Sequence, residues 1–439
     1  MDQRKIYENK LMTADEAVAR FMKDGDKVDP GGHNVAEPLL DAVMRAVKAG
    51  DLKGIRVLGD YRFYDMGLGD PELTSDMIRS ECLFLGAQER KDYKNGNITT
   101  FVPMQLSLER RYNRKMAPDI VFVGVTEPDE NGLCCLGPQN AGQMGDLWMF
   151  GKKVIAQVNK NIPKIFGHPD IFIPVDRIDA FVEEDSEYHC VVTSKPDETD
   201  MKIAKHITEL IPDGATIQLG IGGIANAIGY GLEDHKDLGV TTEMFTESMS
   251  YLQRKGVINN SKKTFMPGLS VAGFSYGSQE HFDFIKENKD IYFTPYSFSN
   301  AYENIIQNKN MMSINSCVMM DITGECDASN MPGRQYSGTG GHLDYARGAA
   351  AAEGGKSFIA FHSTRMTKDG KLESKIVPFL PEGTYVDTPR ANVEYVATEY
   401  GCVDLFGEDI PTRCKKMISI AHPKFREELE RQAREMKLI

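Results

Sequence analysis

Cysteine is scarce in this sequence. There are eight in 439 residues, no C-x-x-C pair occurs, and Cys134 and Cys135 are adjacent. That is too dilute for a disulfide scaffold and lacks the spacing of a structural zinc site, so no metal is expected. Long apolar runs are missing as well. None reaches the roughly 18 residues that a membrane span requires, so no membrane is expected. The first residues, MDQRKIYENKL, hold no apolar signal core, and the expected setting is the reducing cytoplasm. Basic charge is in deficit, with 51 Lys and Arg against 64 Asp and Glu, a net of −13. Such a field does not gather nucleic acid or anionic membrane non-specifically. An anionic ligand would need local backbone N–H groups or a few placed cations. Finally, no G-x-S-x-G elbow occurs, so Ser-His-Asp hydrolysis has no anchor. Cys134 and Cys135 read as small residues buried at a turn rather than as nucleophiles.

What is present is ordinary globular material, 41% hydrophobic and 26% charged, which excludes disorder or coiled coil as a description of the whole chain. The length suggests two to four domains, with two the simplest count. Near the start, Thr13-Ala-Asp-Glu16 forms a capping box ahead of a short helix, MTADEAVARF. Leu39, Leu40, Val43, Met44 and Val47 then make a helical stripe. The runs 118–128, 152–160 and 170–183 are continuously apolar, as buried parallel strands are. The acidic stretch 184–200, EDSEYHCVVTSKPDETD, is the best linker. It places an N-terminal domain at 1–190 and a C-terminal domain at 191–439.

The second half repeats the alternation. A helix over KIAKHITELIPDG leads to the strand TIQLGIG (216–222). A helix running to about Gly239 follows, then the strand and helix of VTTEMFTESMSYL. Strands are expected at 356–363, 375–380 and 393–401. A last helix opens after His422 with Pro423 in its first turn and lines up Phe425, Leu429, Ala433 and Met436. The fold class is therefore α/β, two similar open domains with mostly parallel sheets.

Two glycine loops stand out. Gly220-Ile221-Gly222-Gly223-Ile224-Ala225 follows a strand and precedes a helix, which satisfies the dinucleotide fingerprint. Glu243 then stands where a ribose-binding acid would be. An NAD(P)- or flavin-dependent oxidoreductase is one reading of this pattern, and close packing of backbone elements is another. The second loop, RQYSGTGGHLDYARG, holds Gly338, Gly340, Gly341 and His342, for which a single dinucleotide domain has no use. A large anionic ligand would have a use for both. Glu243 sits in an apolar, strand-like setting, LGVTTEMFTE. It is either a partly buried salt-bridge partner or a functional carboxylate whose pKa desolvation would raise. Glu247 suits a helix start. Asp344 and Glu399 are candidate orienting acids or caps, and His33 is a candidate without a partner.

These stretches together carry a resemblance. KLMTADEAV, PDENGLCCLGP, VIAQVNKNIPKIFG, IDAFVE, IQLGIGGIANAI, HKDLGVTTEMF, GRQYSGTGGHLDYARGAA, KIVPFLPEG, TEYG and IAHPKFREEL make the chain similar, over nearly its full length, to the acetyl-CoA hydrolase/transferase family. Within that family it resembles the branch of 4-hydroxybutyrate and butyryl-CoA:acetate CoA-transferases. The resemblance implies the NagB/RpiA/CoA-transferase-like fold and transfer of coenzyme A between a short-chain acyl-CoA and acetate or another small acid. Hydrolysis of the same thioester is the neighbouring alternative. It implies that Glu243 is the nucleophile, passing through an acyl–glutamyl anhydride and a covalent glutamyl-CoA. Gln218 would assist the oxyanion, Gly220, Gly222 and Gly223 would approach the thioester, and Gly338, Gly340, Gly341 and His342 would approach bound coenzyme A. No permanently bound cofactor is implied, and a homodimer or larger homo-oligomer is. The chain departs from the family pattern at Ala225, Thr246, Glu247, Ser248 and His342, and in SFSNAYEN. Those departures bear on which acyl group is preferred.

Overall fold

The computed structural model of the chain describes residues 3–94, 98–191, 194–331 and 334–439. Met1, Asp2, Val192, Thr193 and Gly333, which fall in stretches read above, lie outside the described residues. The chain divides into two compact units, Met1–Val191 with Val271–Ser299, and Val192–Ser270 with Asn300–Ile439.

In the first unit the capping box forms. Thr13 Oγ1 accepts from the Glu16 N–H at 3.2 Å, and Glu16 Oε2 accepts from the Thr13 N–H at 2.8 Å, which starts the helix Ala14–Phe21. The expected stripe lies on the helix Glu37–Ala49, where Leu39, Leu40, Val43, Met44 and Val47 are all buried. They pack into one core with Ile55, Val57, Ile120 and Phe122 of the sheet. That sheet runs in the order Thr99–Phe101, Ile78–Cys82, Ile55–Gly59, Lys27–Asp29, Ile120–Val125, Lys153–Val158, Ala180–Glu183, with parallel pairings throughout. Ile120–Val125 is buried at every position, as a continuous apolar run in a sheet covered on both faces must be.

The stretch 170–183 is not one strand. Phe172–Pro174 pairs antiparallel with Leu133–Cys135, a 3-10 turn follows, and only Ala180–Glu183 joins the main sheet. Pro174 has no N–H to continue a ladder.

In the second unit the strands run in the order Gly239–Met244, Thr216–Leu219, Met311–Ser316, Lys356–Ala360, Tyr395–Thr398, Gly401–Asp404. The described pairings are parallel except the last, a hairpin. The strand expected over 393–401 is thus two short strands and a turn. The chain first steps from Thr216–Leu219 to one side and later returns on its other side at Met311–Ser316. In open α/β sheets, ligands are held at the carboxyl ends of the strands beside such a reversal of strand order.

Three further boundaries differ from expectation. The helix expected to reach Gly239 spans only Gly223–Gly231, because its glycines are weak helix formers and Asp237 adopts a left-handed φ of 56°. The strand at 375–380 shrinks to Ile376–Val377, ahead of Pro378, which cannot donate to a ladder. The last helix, Pro423–Glu435, opens as expected, with His422 Nδ1 accepting from the Lys424 N–H at 3.2 Å. It buries Leu429 and Ala433, while Met436 lies beyond its end and is 39% exposed. No helix among the described residues is long and apolar enough to cross a membrane.

Candidate active site

The site is built within the second unit. Ile217 pairs with Val240, and Leu219 with Ile314. Running both registers on by a few residues brings Gly220, Glu243 and Asn315 to the carboxyl edge of three neighbouring parallel strands. Glu243 is half-buried there, and its neighbours Thr242, Met244 and Phe245 are fully buried. Thr241 and Phe245, on the same face of the chain, are buried, and the Glu243 carboxylate is closed in by the Gly341 backbone and the Asn300 side chain.

Two donors meet that carboxylate. Asn300 Nδ2, on a fully buried side chain, donates to Glu243 Oε2 at 2.7 Å. The backbone N–H of Gly341 also donates to Glu243. Gly341 is the N-cap of the helix His342–Ala351, so the carboxylate faces that helix's first turn. The approach leaves no room for a side chain. A Cβ at Gly341 would lie 1.9 Å from Glu243 Oε2 and 2.2 Å from Asn300 Nδ2. Its φ of −93° is ordinary, so glycine is required here for space and not for backbone freedom. Desolvation is the largest influence on the acid and pushes Glu243 up to about 7, with Asp344 of the same helix adding to the push, while the Asn300 and Gly341 donors pull it down. Tyr345, also fully buried, has its hydroxyl held well above its usual range by burial first and by Glu243 and Asp344 next.

Other residues singled out from the sequence lie in the same unit and have partners of their own. Gln218 is buried and forms a reciprocal amide pair with Asn315, at 3.2 and 3.3 Å. Gly220 packs against the Ile314 carbonyl, and Gly222 holds a φ of 107° in open space, a conformation that only glycine adopts without strain. At Gly223 a Cβ would lie 2.3 Å from Asp200 Oδ2. Asp200 caps the helix Glu198–Thr208 together with Asp197 and pairs with His362 Nε2 at 2.7 Å. A pyrophosphate seated on the first loop would therefore meet a carboxylate, which weighs against the dinucleotide reading. Asp197, Asp200 and His362 also form the one cluster among the described residues with spacing suited to a metal ion; its polar atoms already serve the cap.

In the second loop, Gly338 and Gly341 are buried and Gly340 has a φ of 56°. His342 is buried. Its Nδ1 lies 3.4 Å from Thr388 Oγ1 and its Nε2 has no hydrogen-bond partner. Burial pushes its pKa down to about 4, so the ring is neutral at physiological pH. Thr246 is the N-cap of the helix Glu247–Arg254, accepting from the Met249 N–H. Thr246 and Glu247 thus do what a helix start demands. Glu399 accepts from the Ser363 N–H at 2.9 Å and Ser363 Oγ at 2.5 Å, and so orients that loop.

The remaining candidates lie in the first unit. His33 is buried among aromatic rings, 4.2 Å from Tyr61 and 4.7 Å from Phe274, with its pKa pushed down to about 3 by burial. Cys134 and Cys135 are buried on a strand, and burial pushes the Cys134 thiol up to about 12, the opposite of an activated thiolate. Sequence reasoning missed Asn300. It lies in SFSNAYEN, where no periodicity or loop signature marks it.

Comparison with known proteins agrees along the chain. The acetyl-CoA hydrolase/transferase N-terminal domain profile matches residues 1–193, and the C-terminal domain profile of the same name matches residues 277–433. The chain is 36% identical over 434 residues to the 4-hydroxybutyrate coenzyme A transferase of Clostridium kluyveri, covering 98% of each chain. It is 31% identical to the butyryl-CoA:acetate CoA-transferase of Anaerostipes caccae, covering 99% of this chain and 98% of that one. The crystal structure of RipA from Yersinia pestis superposes with a TM-score of 0.92 at 30% identity over the full length of both chains.

Proposed function

The chain belongs to the acetyl-CoA hydrolase/transferase family, and from that premise we propose that it moves coenzyme A between short-chain acyl-CoA thioesters and small carboxylic acids with Glu243 as its nucleophile. The observation that carries the assignment of Glu243 is the pair of donors, Asn300 Nδ2 at 2.7 Å and the Gly341 N–H, converging on its carboxylate at the carboxyl edge of the sheet. A carboxylate is a weak nucleophile, and desolvation that raises its pKa to about 7 makes it a more reactive one.

The bonds balance without water or an external base. Glu243 attacks the thioester carbonyl, the C–S bond breaks, and an acyl–glutamyl anhydride and a thiolate form. The thiolate then attacks the glutamyl carbonyl and the donor acid leaves, so that Glu243 carries coenzyme A as a thioester. An acceptor carboxylate reverses the two steps. When the glutamyl carbonyl is attacked, the oxygen that becomes negative is one already facing Asn300 and Gly341, and donors at this spacing are what an oxyanion requires. Gln218 and the first glycine loop, at the same sheet edge, are placed in this reading on the thioester side. His342, neutral and with its buried Nε2 unpartnered, is placed on the coenzyme.

Butyryl or 4-hydroxybutyryl groups, with acetate or a similar small acid as partner, are the substrates favoured by likeness to the relatives named above. A cytoplasmic homo-oligomer belongs to the same reading. It rests on the same likeness. The test is a panel of acyl-CoA donors against labelled acids, with coenzyme A release measured with and without acetate to separate transfer from hydrolysis. Glu243→Gln is expected to abolish exchange, and hydroxylamine or borohydride trapping should mark Glu243 in the wild type only. Full exchange by Glu243→Gln would overturn the assignment.

A further inference from the structure

The Asp387–Thr388 dipeptide lies outside every motif singled out in the sequence, and yet it holds both flanks of the Gly340–Gly341 turn. On one flank, Asp387 Oδ1 accepts from Thr339 Oγ1 at 3.1 Å and from Ser329 Oγ at 2.8 Å. Its Oδ2 accepts from the N–H groups of Ala328 and Ser329, each at 2.8 Å. All four hydrogen bonds converge on one carboxylate. On the other flank, Thr388 Oγ1 meets His342 Nδ1. The dipeptide is itself tied to the buried Cys326 backbone, whose carbonyl accepts from the Asp387 N–H at 2.9 Å and whose N–H donates to the Thr388 carbonyl at 3.1 Å. A continuous path of hydrogen bonds and backbone thus runs from a core strand, through Asp387 and Thr388, to Thr339 and His342, and so to the glycine that touches Glu243.

The tightness of that contact makes placement decisive. Gly341 approaches Glu243 and Asn300 so closely that even a methyl group has no room. Glycine loops have little rigidity of their own, so something outside the loop must fix it, and misplacement of a catalytic donor by about 1 Å is enough to cost on the order of a hundredfold in rate. We infer that Asp387, acting through Thr339, is a positioning residue that sets the Gly341 N–H against Glu243. This rests on the reading of Glu243 as the nucleophile.

The experiment compares wild type with Thr339→Val, Thr339→Ser, Asp387→Asn and Glu243→Gln in the full chain, measuring kcat and KM for one acyl-CoA and the thermal midpoint. Thr339→Val removes a single hydroxyl and no backbone bond, so it keeps the test open if Asp387→Asn fails to fold. The expected result is a kcat about tenfold lower for Thr339→Val with KM for acyl-CoA within about twofold of wild type. Thr339→Ser should recover wild-type kcat, and Asp387→Asn should fall further. Unchanged kcat in both Thr339→Val and Asp387→Asn, or a Thr339→Ser as impaired as Thr339→Val, overturns the inference. Those outcomes are distinct from an active Glu243→Gln, which overturns the nucleophile on which it rests.

Discussion

Replacing Gly341 by alanine separates the chemistry of this site from the stability of its fold. The backbone there has a φ of −93°, which alanine adopts without strain, so the whole effect comes from the added methyl. That methyl would stand 1.9 Å from Glu243 Oε2 and 2.2 Å from Asn300 Nδ2, against an ordinary contact of 3.4 Å or more. Glu243, Asn300 or the loop must therefore give way by about 1.5 Å, a displacement beyond the roughly 1 Å that already lowers rates about a hundredfold. The 2.7 Å bond between Asn300 and Glu243 is lost with it, worth about 1.5–3 kcal/mol for a charged acceptor. Against that loss stands a gain of about 0.4–1 kcal/mol from the stiffer unfolded chain. The net destabilisation is then only about 0.5–2.6 kcal/mol. In a coenzyme A exchange assay Gly341→Ala should lose at least about two orders of magnitude in kcat while its thermal midpoint moves by a few degrees. A folded Gly341→Ala protein exchanging at the wild-type rate would refute the geometry argued for the site.

Other perturbations test the parts separately. Asn300→Ala should lower kcat by about 10²–10³ with a modest effect on KM, as expected for an oxyanion donor; an unchanged kcat would remove Asn300 from the mechanism. Glu243 holds its proton more tightly folded than unfolded, so the stability it contributes is full below about pH 4.5 and is lost as pH rises through about 7. Glu243→Gln should therefore raise the thermal midpoint at pH 8, by the equivalent of at most roughly 3 kcal/mol, and leave it unchanged at pH 4. The same ionisation predicts that kcat/KM of the wild type rises with pH through an apparent pKa near 7. Gly222→Ala has open space around it but a φ of 107°. It should cost about 1–3 kcal/mol of stability through backbone strain alone, visible as a lower thermal midpoint without any steric change at Glu243.

The local parts of the molecule were legible because neighbours in sequence decide them. The capping box at Thr13 and Glu16, the stripe on Glu37–Ala49, the buried run Ile120–Val125 and the proline-led last helix each announce themselves within a dozen residues. Glu243 was legible for a related reason, since an acid in an otherwise apolar strand calls for an explanation. Boundaries were lost where local signals conflicted. An apolar run through Pro174 looks continuous although its hydrogen-bonding ladder cannot be, and the helix from Gly223 stops at Gly231 although its apolar residues suggest a longer one.

The sequence by itself determined two α/β halves, the strands, the glycine turns and the acid at a strand end, because periodicity, turn chemistry and helix capping act over one or two turns of chain. Tertiary structure alone decided that Val271–Ser299 belongs to the first unit, that Asn300, 57 residues from Glu243, is its hydrogen-bond partner, and that Gly341 rather than another glycine meets the carboxylate. It also brought Asp387 to Thr339, two residues before that glycine. These are contacts between segments far apart in the chain, chosen by how the sheet and its loops pack, and a single sequence carries no local mark of them.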